Sequence, residues 1–424
     1  MREMKDSGIE WIGEIPADWE VSTIKREYVF QTGWTPDTTH EEYFVGENIW
    51  INISDMKSKV VYDSEKHISD EAVRLASMNI SPKGSLLYAF KLSVGAVSFC
   101  GIDMYTNEAI ATFLPGKNNL RFLYYTAPIF IIKNANENIY GAKLLNQKLI
   151  RNAKIVIPPL EVQKRIVDYL DRKCSQIDAI IARRQEVIEK LKAYKLSVIT
   201  EAVTKGLNPD VPMKDSGVEW IGEIPEHWDF RKIKNCCLIV DCKNRTPDPD
   251  PDGEYIVVRT TCIRDGSFSY EGSYHTNAEN FKEWTAKGQP QHGDIFFTRE
   301  APMGEACLVP DADNLCMGQR VMFFRPLDGS DPRYILYSIY GPLAREYIDS
   351  KNKGSTVGHL KLGQVASLPL FYCPPKEQSE IADYLDKRCG AIDKVVEKKA
   401  EIISKLTDYK KSLIYEVVTG KKEV

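Results

Sequence analysis

The sequence lacks the features that identify several common classes of protein. No apolar run approaches the ~20 residues of a membrane-spanning helix, and residues 1–6 carry no apolar signal region, so we expect a cytoplasmic protein. A net charge of −4 argues mildly against a protein that coats nucleic acid non-specifically, because such proteins are usually basic. That total does not exclude the local reading of base edges.

Metal-binding motifs are missing as well. Ten cysteines are scattered through both halves, but no CxxC pair repeats and no histidine stands at finger spacing. We therefore predict buried free thiols in a reducing compartment, and no zinc site. Asp248, Asp250 and Asp252 alternate with prolines, which suits a loop. The sequence predicts no metal site of any kind.

The chain also lacks the motifs of nucleotide-dependent and methyl-transferring enzymes. There is no GxxxxGK[ST] phosphate loop, no glycine-rich cofactor loop and no carboxylate cluster followed by a lysine. Pro158 and Pro159 do not complete the Asn-Pro-Pro-Tyr element of an adenine methyltransferase, because the asparagine is absent and Leu160 replaces the aromatic residue. We predict no catalytic residue and no cofactor in this chain.

What the sequence does contain is an internal repeat. Residues 4–19 and 213–228 are identical at thirteen of sixteen positions, at an offset of 209. Residues 163–178 and 378–393 form a second similar pair, at an offset of 215 that persists to the end of each segment. Near-constant ends around divergent middles indicate one fold that is built twice and adapted to two targets.

The divergent middles, residues 20–157 and 229–373, share only a faint scheme. Short strands are predicted at similar places in both, in residues 50–55 and 255–260, and again in residues 84–88 and 293–297. Glycine, proline, asparagine and aspartate turns interrupt them.

Two long helices are predicted over the second pair of segments. Apolar residues recur at steps of three, four or seven, which is the pattern of a coiled-coil seam. Prolines before each helix suit its first turn, and Gly206 and Gly420 lie near the ends. The seam residues are Leu170, Ile177, Ile181, Ile188 and Leu191 in the first helix and Leu385, Ile392, Val396, Ile403 and Leu406 in the second.

The length of 424 residues suits two domains of ~150 residues with connecting helices. We predict globular domains in residues 1–157 and 209–373, and long helices in residues 158–208 and 374–424. Because the first helix ends where the second domain begins, helices that pair along their length must be antiparallel. The predicted fold class is α/β (α+β): two similar heads separated by a long antiparallel two-helix coiled coil, with pseudo-two-fold symmetry.

This architecture fits two functions equally well. Two-fold symmetry commonly mirrors paired half-sites on a DNA duplex, and the half-sites should differ because the heads differ. A duplicated scaffold that binds two proteins would have the same architecture.

The order of parts resembles the specificity subunit of type I restriction-modification systems, over nearly the whole chain. The residues that carry the resemblance are the DSGIEWIGEIPADW phrase at 6–19, its copy at 215–228, and the proline-proline-x-Glu helix starts at 158–161 and 374–377. The opening phrase is quite specific to this family, whereas the helix alone would be weak evidence.

The resemblance implies that each head is a target recognition domain and reads one half of a bipartite, asymmetric site in double-stranded DNA. The helices would measure the spacer between the half-sites and dock two modification subunits, which bind S-adenosylmethionine and methylate adenine. Two restriction subunits, which use ATP and Mg²⁺, would complete the endonuclease. Catalysis would then belong to the partners, and no membrane would be involved.

Candidate DNA-binding residues are those whose types read bases or hold phosphates, either near predicted strands or, in residues 351–361, in a polar, basic and glycine-hinged stretch that suits a loop laid on the DNA backbone. In the first half they are Ser54, Lys57, Tyr88, Lys91, Ser93, Tyr140 and Lys143. In the second half they are Arg259, Thr260, Thr261, Thr298, Arg299, Lys351, Lys353, Ser355, Thr356, His359 and Lys361. Arg299 suits a fork onto guanine, but an ion pair with Glu300 or another acid is an equally good interpretation.

The repeated opening motif contributes four tryptophans, Trp11, Trp19, Trp220 and Trp228. We predict that they pack against the long helices. A surface seen by partner subunits is the alternative.

Overall fold

The chain divides into two compact units in the computed structural model, which describes residues 2–137, 141, 143–327, 329–351 and 358–424. Unit 1 comprises Met1–Arg183 and Ile402–Val424, and unit 2 comprises Arg184–Glu401. Both boundaries fall inside the long helices, because each half-helix packs on the globular domain beside it. Each unit therefore contains one globular domain, the start of one long helix and the end of the other.

The predicted long helices are confirmed as α5 and α10. None of the described helices is both long enough and apolar enough to cross a membrane. The α-helices of the described residues are α1 Ile24–Glu27, α2 Asp70–Leu75, α3 Leu120–Phe130, α4 Gln147–Asn152, α5 Leu160–Lys205, α6 Ala278–Trp284, α7 Pro332–Tyr340, α8 Pro342–Lys351, α9 Leu362–Ala366 and α10 Pro375–Val418.

The strands of unit 1 are short and numerous. They are β1 Met4–Asp6, β2 Glu14–Pro16, β3 Glu20–Thr23, β4 Phe30–Thr32, β5 Asn48–Ile51, β6 Val60–Val61, β7 His67–Ile68, β8 Leu86–Ala89, β9 Val97–Cys100, β10 Tyr105–Thr106, β11 Ile110–Phe113, β12 Asn136–Glu137, β13 Lys143–Leu144 and β14 Lys154–Ile157.

The strands of unit 2 follow a matching order. They are β15 Met213–Asp215, β16 Glu223–Pro225, β17 Asp229–Lys232, β18 Cys237–Val240, β19 Tyr255–Val258, β20 Ile263–Arg264, β21 Ser267–Phe268, β22 Tyr274–Thr276, β23 Ile295–Thr298, β24 Ala306–Leu308, β25 Leu315–Met317, β26 Val321–Pro326 and β27 Pro369–Tyr372.

The two units share one sheet topology, except that β6 adds an edge strand to the larger sheet of unit 1. The larger sheet has the order β4-β11-β8-β9-β6 in unit 1 and β18-β26-β23-β24 in unit 2. A smaller sheet has the order β10-β5-β7 in unit 1 and β22-β19-β25 in unit 2, and in each its parallel pair joins β5 to β10 or β19 to β25. The strands predicted at similar places in the two halves are thus β5 and β19, and β8 and β23. The prediction of one fold built twice is confirmed.

The central strand of each larger sheet is buried on both faces, which explains its continuous apolar run. In unit 1, Leu86 and Tyr88 share a core with Phe122 of α3, and Leu87 on the opposite face shares a core with Ile51 of β5. In unit 2, β23 divides in the same way between α7 and β19. Each globular domain is therefore layered as helix, sheet and smaller sheet.

In each unit the segments of α5 and α10 run antiparallel, as predicted. Lys410 Nζ lies 2.6 Å from Asp178 Oδ2 in unit 1, and Lys195 Nζ lies 2.7 Å from Asp393 Oδ2 in unit 2. Further along α5, residues 198–203 share a core with residues 381–385, near the start of α10. Residue numbers thus rise along α5 as they fall along α10, which is the antiparallel order. All of the predicted seam residues are buried or half-buried.

A buried glutamine ties each globular domain to the start of the helix that follows it. In unit 1, Gln163 Oε1 accepts a hydrogen bond from the backbone N–H of Asn119, the residue that caps α3, at 3.1 Å, and Nε2 donates to the carbonyl of Pro158 at 2.9 Å. In unit 2, Gln378 makes the same two bonds to Asp331 and Cys373, at 2.9 and 2.8 Å. Both side chains are fully buried.

An arginine and a tyrosine reinforce the same junction. In unit 1, Arg121 and Tyr125 of α3 both donate to Asp171 of α5, and Lys59 Nζ lies 2.7 Å from the same carboxylate. Burial by itself would raise the pKa of Asp171, but these three hydrogen bonds lower it to about 2. We call this group, with its counterpart in unit 2, the clamp.

The counterpart in unit 2 uses equivalent residues. Arg333 of α7 contacts Asp383 at 2.7 Å and Asp386 at 2.9 Å, and Tyr337 donates to Asp386 at 2.8 Å. An arginine and a tyrosine one turn apart thus recur on α3 and α7. The clamp therefore belongs to the part of the structure that is the same in both units, which we call the repeated frame.

The opening motifs pack on the ends of the long helices. Trp19 and Trp228 are fully buried and lie beside Gly420 and Gly206, whose positive φ angles of 75° and 72° suit a helix end. Trp11 contacts Tyr415 of α10, with ring centroids 6.4 Å apart. The prediction is confirmed for these tryptophans.

The prediction is wrong for Trp220, which is 50% exposed. Its counterpart Trp11 rests on Tyr415, whereas the residue at the equivalent place on α5, at the offset of 215, is Thr200. A threonine is too small to provide the aromatic partner that covers Trp11.

Candidate nucleic-acid interface

The ends of several strands of unit 2 converge at one edge of its larger sheet. The backbone N–H of Arg299, just after β23, donates to the carbonyl of Arg320, just before β26, at 3.0 Å. Gly318 donates to the end of β19 at Val258, and Arg320 N–H donates to Sγ of Cys242, after β18. We call residues 241–245, 259–261, 299–300, 318–320 and 358–359 the loop edge of unit 2.

Arginines and acids alternate along this edge. Arg299 is only 8% exposed, and its Nη1 donates to Asp241 Oδ2 at 3.0 Å. Arg320 Nε lies 3.2 Å from Glu300 Oε2, and His359 Nδ1 lies 3.2 Å from the same oxygen. Two carboxylates, those of Asp241 and Glu300, therefore hold three basic side chains in place.

Two further cations lie on the same edge. Lys243 and Arg245 both contact Glu283, and both lie over the ring of Trp284, within 4.9 Å of its centroid. Together with the exposed Arg259, they give this edge a positive excess that the whole-chain charge conceals. Positive loops that present hydrogen-bond donors suit a nucleic-acid surface.

Unit 1 has the same edge with different side chains. Phe90 N–H, after β8, donates to the carbonyl of Ala109, before β11, at 3.0 Å, and Asn107 N–H donates to the end of β5 at Ile51. Trp34, after β4, donates to the carbonyl of Thr106 at 2.9 Å. We call residues 33–35, 52–57, 90–93 and 107–109 the loop edge of unit 1.

The charges of this edge are arranged around one carboxylate. Thr35 donates to Glu108, and Lys91 Nζ lies 3.8 Å from it. Burial would raise the pKa of Glu108, but the hydrogen bond from Thr35 and the proximity of Lys91 lower it below its usual value. Beside them Leu92 is 91% exposed, and Trp34 is exposed as well. This edge is thus more apolar than that of unit 2.

The structure places most of the predicted residues of the first half on the surface. Ser54, Lys57, Lys91 and Ser93 are exposed and belong to the loop edge of unit 1. Lys143 is also exposed and forms an ion pair with Glu137. Tyr140 lies outside the described residues.

Tyr88 was predicted wrongly. The alternation of a strand points its side chain toward α3, so the ring is fully buried against Phe113 and cannot contact a ligand. Burial raises the pKa of its hydroxyl far above the usual range.

In the second half, Arg259, Thr261, Lys351, His359 and Lys361 are exposed, and Thr260 is half-buried. Of these residues, Arg259, Thr260, Thr261 and His359 belong to the loop edge of unit 2. The predicted residues Lys353, Ser355 and Thr356 lie outside the described residues.

Thr298 was also predicted wrongly. It is the last residue of β23 and is fully buried. Its hydroxyl donates to the carbonyl of Pro302 and accepts from the N–H of Glu305, so it shapes the following turn. For Arg299, the ion-pair interpretation holds, although the acid is Asp241 rather than Glu300.

Four residues of the unit 2 edge were missed by the sequence analysis: Lys243, Arg245, Gln319 and Arg320. A signal for them exists. Lys243 and Arg245 follow the apolar run of β18, and Gln319 and Arg320 stand between a glycine and the apolar run of β26. Only the pairings of β18 and of β23 with β26 show that these segments meet.

One thiol, that of Cys242, belongs to a loop edge, where its sulfur accepts the hydrogen bond from the backbone N–H of Arg320. All ten cysteines are buried and free, as predicted. Burial raises the pKa of the Cys242 thiol above its usual value. Among the described residues, no group of three histidines, cysteines or acids is placed to hold a metal ion.

Comparison with known proteins gives a consistent result. The family model described as type I restriction modification DNA specificity domain matches residues 16–190 and 225–404. The type I restriction enzyme MjaIX specificity subunit of Methanocaldococcus jannaschii is 25% identical over 380 residues, which are 86% of this chain and 85% of that protein. The putative MjaX specificity subunit of the same organism is 25% identical over 430 residues, 97% of this chain and 95% of that protein.

A solved structure shares the fold. It concerns complex assembly and conformational transition of the type I R-M system, and one of its chains matches with a TM-score of 0.68 at 14% identity. The match covers 96% of this chain and 99% of the other.

Proposed function

Because this chain belongs to the family of the type I restriction modification DNA specificity domain, we propose that its two loop edges each read one half of a bipartite, asymmetric DNA site. One observation carries the proposal: the same backbone frame presents different side chains at equivalent places. Lys91, Glu108 and Ala109 of unit 1 stand where unit 2 has Glu300, Gln319 and Arg320. Donors and acceptors at equivalent places therefore differ, and so should the bases they read.

The paired helices would measure the spacer between the half-sites. Each globular domain is fixed to its helix by a buried glutamine and a clamp. In this proposal the length of helix between the two domains would set the accepted spacer. Inserting four residues, about one turn, at equivalent places in α5 and α10 should change the spacer that is accepted and leave both half-sites unchanged. An unchanged spacer would contradict this part of the proposal.

The same helices would dock two copies of a modification subunit. Beside the seam, each long helix carries a second apolar stripe at heptad spacing, and the two stripes are equivalent at the offset of 215. A second stripe suits a bundle with further helices. Its residues are Ile180, Val187 and Tyr194 on α5 and Val395, Ile402 and Tyr409 on α10, all half-buried or exposed.

Docking is tested by charge substitutions in one stripe at a time. Ile180→Asp and Val395→Asp should each reduce the number of bound modification subunits from two to one, measured by mass photometry. Ala179→Asp, exposed on the other side of the same turn, is the matched control and should leave two bound. If either stripe variant still binds two, the stripes are not the docking surface.

In this proposal the chain itself is not an enzyme. S-adenosylmethionine would be bound by the modification subunits, and ATP and Mg²⁺ by two restriction subunits, so that methylation and cleavage belong to the assembly. The chain would contribute only the choice of sequence.

The central test is methylation by the chain assembled with its modification subunits. The complex should methylate a split, asymmetric site and should leave a duplex with either half-site scrambled unmodified, as read by sequencing of methylated adenine. If the complex binds all duplexes equally well, the proposal is overturned, and a scaffold that binds two proteins is favoured.

A further inference from the structure

Arg320 has an unusual backbone for a surface arginine. Its φ of 74° lies in the left-handed region, which residues other than glycine rarely adopt. Two hydrogen bonds hold it there: its N–H donates to Cys242 Sγ at 3.3 Å, and its carbonyl accepts from Arg299 N–H at 3.0 Å. A strained conformation that the surroundings maintain points to a use for the side chain.

The guanidinium of Arg320 has donors to spare. Nε lies 3.2 Å from Glu300 Oε2, which is an ion-pair distance, but it is buried and lacks an aligned hydrogen-bond acceptor. Within the part of the chain that the structure describes, Nη1 and Nη2 have no acceptor either. The side chain is 43% exposed, whereas that of Glu300 is 20% exposed. Glu300 therefore restrains the Arg320 side chain on its buried side, and the guanidinium is accessible to a ligand on its exposed side.

We propose that Arg320 reads a guanine in the half-site of unit 2, an inference that rests on the proposed function. The planar guanidinium offers paired N–H groups at the spacing of O6 and N7 of guanine in the major groove. Glu300 restrains the side chain before DNA arrives, so less rotamer entropy is lost on binding. Donors that lack acceptors in the free protein gain them from the base.

The position is specific to one unit. The equivalent residue of unit 1 is Ala109, whose carbonyl accepts from Phe90 as that of Arg320 accepts from Arg299. Alanine cannot donate to a base, and the charged residues nearby, Lys91 and Glu108, are engaged with each other. The contact is thus confined to the half-site that unit 2 reads.

The test uses the complete complex of the chain with its modification subunits and a DNA library randomised in both half-sites. Arg320→Gly removes the side chain and suits the positive φ, so the fold should be retained or stabilised. We expect preference for guanine at one position of one half-site to fall about 10- to 100-fold, with the other half-site and the spacer unchanged.

Arg320→Lys separates base reading from phosphate binding. Lysine keeps the charge but loses the fork, so we expect the complex to bind DNA at similar salt concentrations while discrimination at that position falls. Thermal unfolding of each variant, compared with wild type, identifies any loss of structure.

The outcomes are distinguishable. If the wild-type complex has a defined site and both variants methylate that same site with unchanged discrimination, the role of Arg320 is overturned and the proposed function stands. If the wild-type complex shows no sequence dependence, the proposed function itself fails. Uniformly weaker binding to all sequences in Arg320→Gly, restored in Arg320→Lys, would assign the residue to a phosphate instead.

Discussion

The junctions of the two units are nearly identical, whereas their loop edges are not. Gln163 and Gln378 make the same two hydrogen bonds to the backbone, and the pairs Asp178–Lys410 and Asp393–Lys195 occupy equivalent places. At the loop edges, by contrast, equivalent positions carry residues of different charge and size. The contacts that fix each domain to the long helices are thus the same in both halves of the duplicated chain, whereas the residues of the loop edges differ.

The comparison is not perfect even within the frame. Trp228 Nε1 donates to Glu377 Oε1 at 3.1 Å, whereas Trp19 Nε1 is buried without a hydrogen-bond partner. At the offset of 215, Val162 stands where unit 2 has Glu377. The repeated frame of unit 1 therefore lacks the hydrogen bond from the tryptophan indole that unit 2 has.

The largest effect is expected from breaking the ion pair of Arg299 with Asp241 in unit 2, where the residue equivalent to Arg299 in unit 1 is Phe90. Arg299→Ala leaves Asp241 as a partly buried carboxylate without its cation, which should cost about 3–5 kcal/mol of the stability of unit 2. Hydrogen exchange should show faster opening of β18 and β23 and no change in unit 1.

The double variant Asp241→Asn/Arg299→Met is the control for this experiment. Replacing both charges by neutral groups of similar size should recover much of the loss. A loss below about 1 kcal/mol in Arg299→Ala would mean that the pair is solvated and marginal.

An equal loss in both units is expected when the shared glutamine is removed. Gln163→Leu and Gln378→Leu each leave a buried backbone N–H and carbonyl unpaired, which should cost about 2–4 kcal/mol. The measurement is the free energy of unfolding in denaturant. A large effect in only one unit would show that the frames are not equivalent in energy.

Acid should weaken the clamp of unit 1. The pKa of Asp171 in the folded chain is lowered to about 2 from its usual 3.8, so its contribution to stability is complete above about pH 4 and is lost as the pH falls toward 2. Asp171→Asn should flatten the pH dependence of the melting temperature in that range. A wild-type slope that persists in the variant would place the acid sensitivity elsewhere.

Unit 2 has its own acid-sensitive group at the same junction. Burial would raise the pKa of Asp331, but hydrogen bonds from Arg333 lower it below its usual value. Asp331→Asn should therefore reduce the acid sensitivity that remains in Asp171→Asn.

The smallest effect is expected from the ion pairs between the helices. Asp178 and Asp393 are about half exposed, so Asp178→Asn and Asp393→Asn should each cost about 0.5 kcal/mol or less. The loss should shrink further at high salt, because screening weakens exposed pairs. A loss above about 1 kcal/mol would show that these pairs, rather than the apolar seam, hold the helices together.

The sequence predicted the repeated frame well because the frame is local and periodic. The seam of α5 and α10 follows from apolar spacing, and β8 and β23 follow from short apolar runs before turns. The candidate site was predicted less well. Tyr88 and Thr298 have suitable side chains at the end of a strand, but β8 and β23 are buried on both faces, so both side chains lie in the core.

The amino-acid sequence by itself determined the duplication, the long helices and their antiparallel order, since identity at a fixed offset and chain connectivity need no knowledge of packing. Only the tertiary structure decided which loops meet. Arg320 reaches Glu300 because β26 pairs with β23, and Cys242 reaches Arg320 because β18 pairs with β26. Loops have no period from which such meetings can be read, so strand pairing alone brings these distant residues together.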